Sequence, residues 1–103
     1  MDSELETLLR RLRIAPQRAW EGLHRALTFR PVDSHAAREI GYRPQLRLMG
    51  VVFSGDDALY LYPDTSPHEW MHALAAPSLG RYLNHDFKPR HRDHIKVEAP
   101  VRE

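Results

Sequence analysis

Two apolar runs separated by a four-residue turn, residues 46–62, constrain this chain more than any other segment. Residues 46–53 read Leu-Arg-Leu-Met-Gly-Val-Val-Phe. At the two-residue period of a strand, Met49, Val51 and Phe53 point one way and Leu46, Leu48 and Val52 the other. Ser54-Gly55-Asp56-Asp57 has the composition of a hairpin turn, and residues 58–62 form the returning strand. That strand sends Leu59 and Leu61 to one face and Tyr60 and Tyr62 to the other. A strand that is apolar on both sides needs a cover on both sides.

The flanking residues can supply such covers. Ser3-Glu4-Leu5-Glu6 fits a capping box, and Leu5, Leu8, Leu9 and Leu12 fall on one helical face. Pro16 ends this helix and suits the first turn of a second, running to about residue 28, whose apolar face is Trp20, Leu23 and Leu27. Short helices need tertiary burial to be stable, so packing of this pair is expected; a leucine face offered to a partner is the alternative. Residues 32–42 read as the first strand, with a turn at 42–45. Beyond the hairpin, Ser66-Pro67 starts a third helix, with Trp70, Met71 and Leu74 expected against the sheet. Ser78 caps a fourth, with Leu79, Tyr82 and Leu83 inward and Asn84 as its end.

In chain order, Ile40-Gly41-Tyr42, the strand ending at Phe53, Tyr60-Leu61-Tyr62 and Ala76-Pro77-Ser78-Leu79-Gly80-Arg81-Tyr82-Leu83-Asn84 resemble the KTSC domain. That module is seen at the C-terminus of some lysyl-tRNA synthetases and alone in small bacterial proteins. Gly55 stands near the family's glycine before the tyrosines, although the hairpin reads one residue longer, and Leu83 replaces a common phenylalanine. The resemblance implies a role in RNA binding. With the helical pattern it gives an α+β fold: two N-terminal helices, a three-stranded antiparallel sheet and two short C-terminal helices. The expected layout is a helical extension at 1–30, a KTSC-like domain at 31–92 and a flexible tail at 93–103.

Charge narrows the partners. The net charge of +1 gives little long-range attraction to nucleic acid. Its distribution is less even: Lys88, Arg90, Arg92 and Lys96 follow one another with His91 and His94 between them, opposed only by Asp93. Such a run suits phosphate contacts or a solvated end. The absence of cysteine excludes disulfides and thiolate metal sites. An acidic N-terminus and the lack of any long apolar run point to a cytoplasmic chain with no membrane segment.

His68-Glu69-Trp70-Met71-His72 matches the HExxH pattern, in which two histidines one helical turn apart bind zinc beside a glutamate base. Here the motif falls in the first turn of its helix, and the wheel places His68 and His72 opposite the apolar face. A third ligand has no candidate outside the basic run except His85. These residues therefore read as solvent-facing, and no cofactor or catalytic residue is expected.

The leading expectation is a non-catalytic RNA-binding accessory module. Tyr60 and Tyr62 would stack bases if left uncovered, or pack as core if a lid lies over them. Arg81, Lys88, Arg90 and Arg92 would meet phosphate, or remain ordinary solvated charges. The alternative is a protein-interaction module, an inhibitor or adaptor of phage or defence type, docking through the N-terminal helices. Zinc-dependent hydrolysis through His68 and His72 is a third reading.

Overall fold

The computed structural model describes residues 3–99. Helix α1 (Ser3–Arg11) leads through a 3-10 turn (Pro16–Arg18) into α2 (Ala19–Ala26). Strands β1 (Arg30–Pro31), β2 (Ala37–Arg43), β3 (Leu48–Phe53) and β4 (Leu59–Tyr62) follow. Helix α3 (Pro67–Ala75) and a short α4 (Leu79–Arg81) come next, α4 running on as a wider π-helical segment (Tyr82–Phe87). Strand β5 (Ile95–Val97) completes an antiparallel sheet in the order β1-β2-β3-β4-β5.

The α+β class is as expected, but the sheet has five strands rather than three. The two extra strands are edges of two and three residues, too short to leave a periodic signal. Part of the segment expected to be a flexible tail thus supplies β5, which pairs Ile95 with Leu61 and Val97 with Leu59. Residues 100–103 of that tail lie outside the described residues. The first strand begins at Ala37, later than expected, and a 3-10 turn (Pro44–Leu46) with Arg47 at φ 50° delays β3 to Leu48.

Two cores sit on opposite faces of the sheet. Leu5, Leu9, Leu23 and Leu27 of the N-terminal helices pack on Leu48, Val52, Leu59, Leu61, Ile95 and Val97. These helices therefore turn most of their leucine face onto the sheet, as expected. A slot for Phe29 lies beside them: Gly41 and Gly50 are paired across β2 and β3. A Cβ on Gly50 would meet the Phe29 ring at 2.4 Å, and one on Gly41 would meet it at 2.8 Å. Only hydrogen at both positions leaves room for that ring.

The tyrosine face has its own cover. Ala73, Leu79, Tyr82, Leu83 and Phe87 close over Ile40, Met49, Val51 and Tyr62. The lid on Tyr60 and Tyr62 is thus the C-terminal helical layer, not the N-terminal pair. Within α3 the inward residues are Ala73 and part of Trp70, whereas Met71 is 62% and Leu74 40% exposed. Trp70 stacks on Tyr42 at 5.4 Å, and Tyr82 Oη donates to the Glu69 carbonyl at 3.2 Å. Those contacts fix the helix rotation and turn Met71 and Leu74 outward, about 100° per residue from the packed stripe. Asn84 does not end the fourth helix, because the π-helical segment carries the chain on to Phe87.

Candidate nucleic-acid interface

Strand alternation sends Tyr60 and Tyr62 to the same face, but only one of them is available there. Tyr62 is 3% exposed and packs edge-on to Phe87 at 5.1 Å. Burial, with a smaller contribution from Tyr60, pushes its hydroxyl up to about 12. Tyr62 is therefore a core residue. Tyr60 is half-buried at the rim, meets Phe53 edge-to-face at 5.3 Å and donates its hydroxyl to Asp56 Oδ2 at 3.0 Å.

Around Tyr60 the fold assembles an open groove of ≈ 550 Å³. Its walls bring together Phe53, Tyr60, Lys88, Arg92, His94 and Asp56. Lys88 Nζ lies 4.4 Å above the centre of the Phe53 ring and also donates to Asn84 Oδ1 at 3.1 Å. Lys96 Nζ lies 5.7 Å above the Tyr60 ring. An ammonium over a ring face is held by the ring quadrupole. The imidazole of His94 stands 5.6 Å from Tyr60 and 5.9 Å from Tyr62. Asp56 accepts from the Ala58 backbone N–H at 2.9 Å. That bond, together with the Tyr60 hydroxyl, lowers its carboxyl against a small opposing effect of burial.

Of the residues singled out from sequence, the groove unites Tyr60, Tyr62, Lys88 and Arg92. Two others go elsewhere. Arg90 reaches Glu69 Oε2 at 3.5 Å. Arg81 borders a separate depression of ≈ 690 Å³ with His72, Tyr82, His85 and Asp86. Phe53, Asp56 and His94 also line the groove and Lys96 lies over the Tyr60 ring beside it; none of the four is among the contact residues expected from sequence. Phe53 could have been found, because it shares the face of Val51, which pairs with Tyr60. His94 and Lys96 arrive only through β5, whose existence a three-residue pattern does not announce.

The HExxH pattern resolves differently from a metal centre. Glu69 is the third residue of α3, and its Oε1 accepts from the Ser66 N–H at 3.0 Å and the Ser66 hydroxyl at 3.1 Å. The Glu69 N–H in turn donates to Ser66 Oγ at 3.1 Å, which completes a capping box. Its Oε2 meets His91 Nε2 at 2.5 Å. Burial opposes ionisation here, but the Ser66 N–H, His91 and the Ser66 hydroxyl outweigh it and hold the carboxyl at about 2. Both oxygens of the would-be base are committed. His68 and His72 are exposed with ring centres 5.1 Å apart. Among the described residues no group of three side chains is placed to hold a metal ion.

The chain has clear relatives. The family model of the KTSC domain matches residues 33–91. An uncharacterized protein of Stutzerimonas stutzeri is 36% identical over 67 residues, which is 65% of this chain and 93% of the relative. A protein of Tsukamurella paurometabola is 40% identical over 62 residues, 60% of this chain and 91% of the relative. The crystal structure of a KTSC domain protein from Yersinia pestis superposes with a TM-score of 0.61 at 23% identity. That likeness covers 73% of this chain and all of the other, and it speaks to the fold alone. Helices α1 and α2 and strands β1 and β5 lie outside the matched residues 33–91. No described helix is long and apolar enough to cross a membrane.

Proposed function

We propose that this chain, which belongs to the KTSC domain family, is a non-catalytic module that binds single-stranded RNA through the groove beside Tyr60. The observation that carries this reading is the convergence of ring faces and cations: Phe53, Tyr60 and His94 stand within one groove with Lys88 and Arg92. Aromatic faces accept unpaired bases of any sequence, and flanking cations track the phosphates. In the free protein Lys88 and Lys96 cover the two ring faces. An arriving base takes those faces, and each flexible ammonium moves a short way to a phosphate.

The test is fluorescence anisotropy with a labelled single-stranded RNA over a salt series. Affinity should fall steeply as salt rises, and removing Lys88 and Arg92 together should flatten the log–log slope by about one for each phosphate that is no longer neutralised. Binding by the Lys88→Ala/Arg92→Ala variant that matches the parent at every salt concentration would refute the reading.

One observation favours a protein contact instead. Met71 and Leu74 are large apolar side chains left exposed on α3. An adaptor or inhibitor docking there would bind by apolar burial, with weak dependence on salt.

A further inference from the structure

The groove lining carries one carboxylate among its cations and rings, and that carboxylate bears on which base it takes. Asp56 is half-buried and borders the groove beside Tyr60. Its Oδ1 receives the Ala58 N–H at 2.9 Å and its Oδ2 the Tyr60 hydroxyl at 3.0 Å. The Asp57 carboxylate is engaged elsewhere, by Arg38 at 3.3 Å. An ionised carboxylate has about four acceptor sites on its two oxygens and no donor. Asp56 therefore keeps acceptor capacity at the groove edge, held rigidly by the hairpin turn and by the ring on which a base would lie.

From this geometry we infer that Asp56 selects bases with an exocyclic amino group, cytosine above all, over uracil. The inference rests on the RNA-binding reading of the same groove. Cytosine and uracil are both pyrimidines with a keto group at position 2, so stacking on Tyr60 and the phosphate contacts serve them about equally. They differ along one edge: at position 4 cytosine presents an N–H donor and uracil a carbonyl acceptor, and at N3 the roles are exchanged, so a carboxylate that faces position 4 tells them apart. A carboxylate accepts from the cytosine N4 amino group. Against the uracil O4 it sets lone pair against lone pair, and neither group is satisfied.

The experiment compares short oligocytidylate and oligouridylate of equal length, measured by anisotropy on the parent protein and on Asp56→Asn. The asparagine is isosteric and keeps an oxygen for the Ala58 N–H, so the turn survives; circular dichroism checks this. The parent should prefer cytidylate by about tenfold, the effect of one charge-assisted hydrogen bond. Asp56→Asn gains an N–H donor for O4, so the cytidylate-to-uridylate ratio should fall to about one or below. The ratio is the readout because loss of the negative charge raises affinity for every RNA alike. Equal affinities in the parent, or a preference that Asp56→Asn leaves intact, would overturn the inference while RNA binding stands. No binding of either oligonucleotide would overturn the RNA reading and the inference with it.

Discussion

Glu69 joins two elements that no sequence pattern connects: its Oε1 closes the cap of α3 on Ser66 while its Oε2 holds His91, 22 residues further along. The side chain of His91 is only 8% exposed and stacks on Phe87 at 4.2 Å. One carboxylate therefore pins the start of α3 to the end of the layer that covers the tyrosine face.

The pH dependence of stability follows from that arrangement. The Glu69 carboxyl is lowered from 4.5 to about 2 in the folded protein. A group depressed on folding stabilises above its unfolded value, and the gain is lost as pH falls toward the folded one. The difference corresponds to roughly 3 kcal/mol, present above about pH 5 and lost between about pH 4.5 and 2. Urea unfolding of Glu69→Gln should show a stability lower than the parent by that order at neutral pH, with the two proteins converging near pH 2. Parallel pH profiles for the two proteins would contradict this assignment.

Tyr60 and Tyr62 should separate cleanly. Tyr62→Ala removes a ring packed against Phe87 inside the core, and the cavity should cost about 3–5 kcal/mol in chemical denaturation. Tyr60→Phe loses only the hydrogen bond to Asp56, a change of about 1 kcal/mol. Tyr60→Ala should abolish most RNA affinity at a much smaller stability loss than Tyr62→Ala. Equal losses in the two alanine variants would mean that both rings are core.

Much of this arrangement is legible in the sequence, and the parts that are not have physical reasons. The hairpin of β3 and β4 declares itself because two adjacent apolar runs flank a Ser-Gly-Asp-Asp turn, and Leu5, Leu9, Leu23 and Leu27 declare their burial by helical spacing. Glu69 is ambiguous from sequence, since the same residue completes both a capping box with Ser66 and an HExxH string. Only its rotamer decides. The exposure of Met71 and Leu74 could not be read from a wheel, because an apolar stripe is wide and the stacking of Trp70 on Tyr42 selects one edge of it. The groove needed β5, whose Ile95 and Val97 are just two apolar residues in a basic run.

Gly50 tests the slot on the opposite face. A methyl group there would stand 2.4 Å from the Phe29 ring and 3.3 Å from Leu27 Cδ1, and both neighbours belong to the packed N-terminal layer. Gly50→Ala should destabilise by about 1–3 kcal/mol through overpacking. Phe29→Ala in the same chain should recover part of that loss, so the double variant should be more stable than the sum of the single changes predicts. Strict additivity would mean that the glycine is needed for some other reason.

Exposed histidines should matter little to the fold. His68 and His72 project from the solvent side of α3 while Glu69 turns back into the cap. The double change His68→Ala/His72→Ala should leave stability within about 0.5 kcal/mol of the parent. One tightly bound zinc per chain in the parent, absent from this variant by metal analysis, would restore the hydrolase reading.

The four cations singled out from the sequence, Arg81, Lys88, Arg90 and Arg92, divide into two classes, and charge removal should reveal them. Lys88 and Arg92 border the groove, whereas Arg90 leans on Glu69 and Arg81 faces a different depression. All four carry the same formal charge, so a long-range field would make their removal equally costly to RNA affinity. Contact at the groove makes the positions unequal. Lys88→Ala and Arg92→Ala should each weaken binding across RNA sequences and lower the salt slope by about one, while Arg81→Ala should change the slope little. Arg90→Ala should act mainly on stability, and only slightly, because its ion pair is more than half exposed on the arginine side. Equal effects at all four positions would place the RNA on a diffuse basic surface and remove the groove from the account.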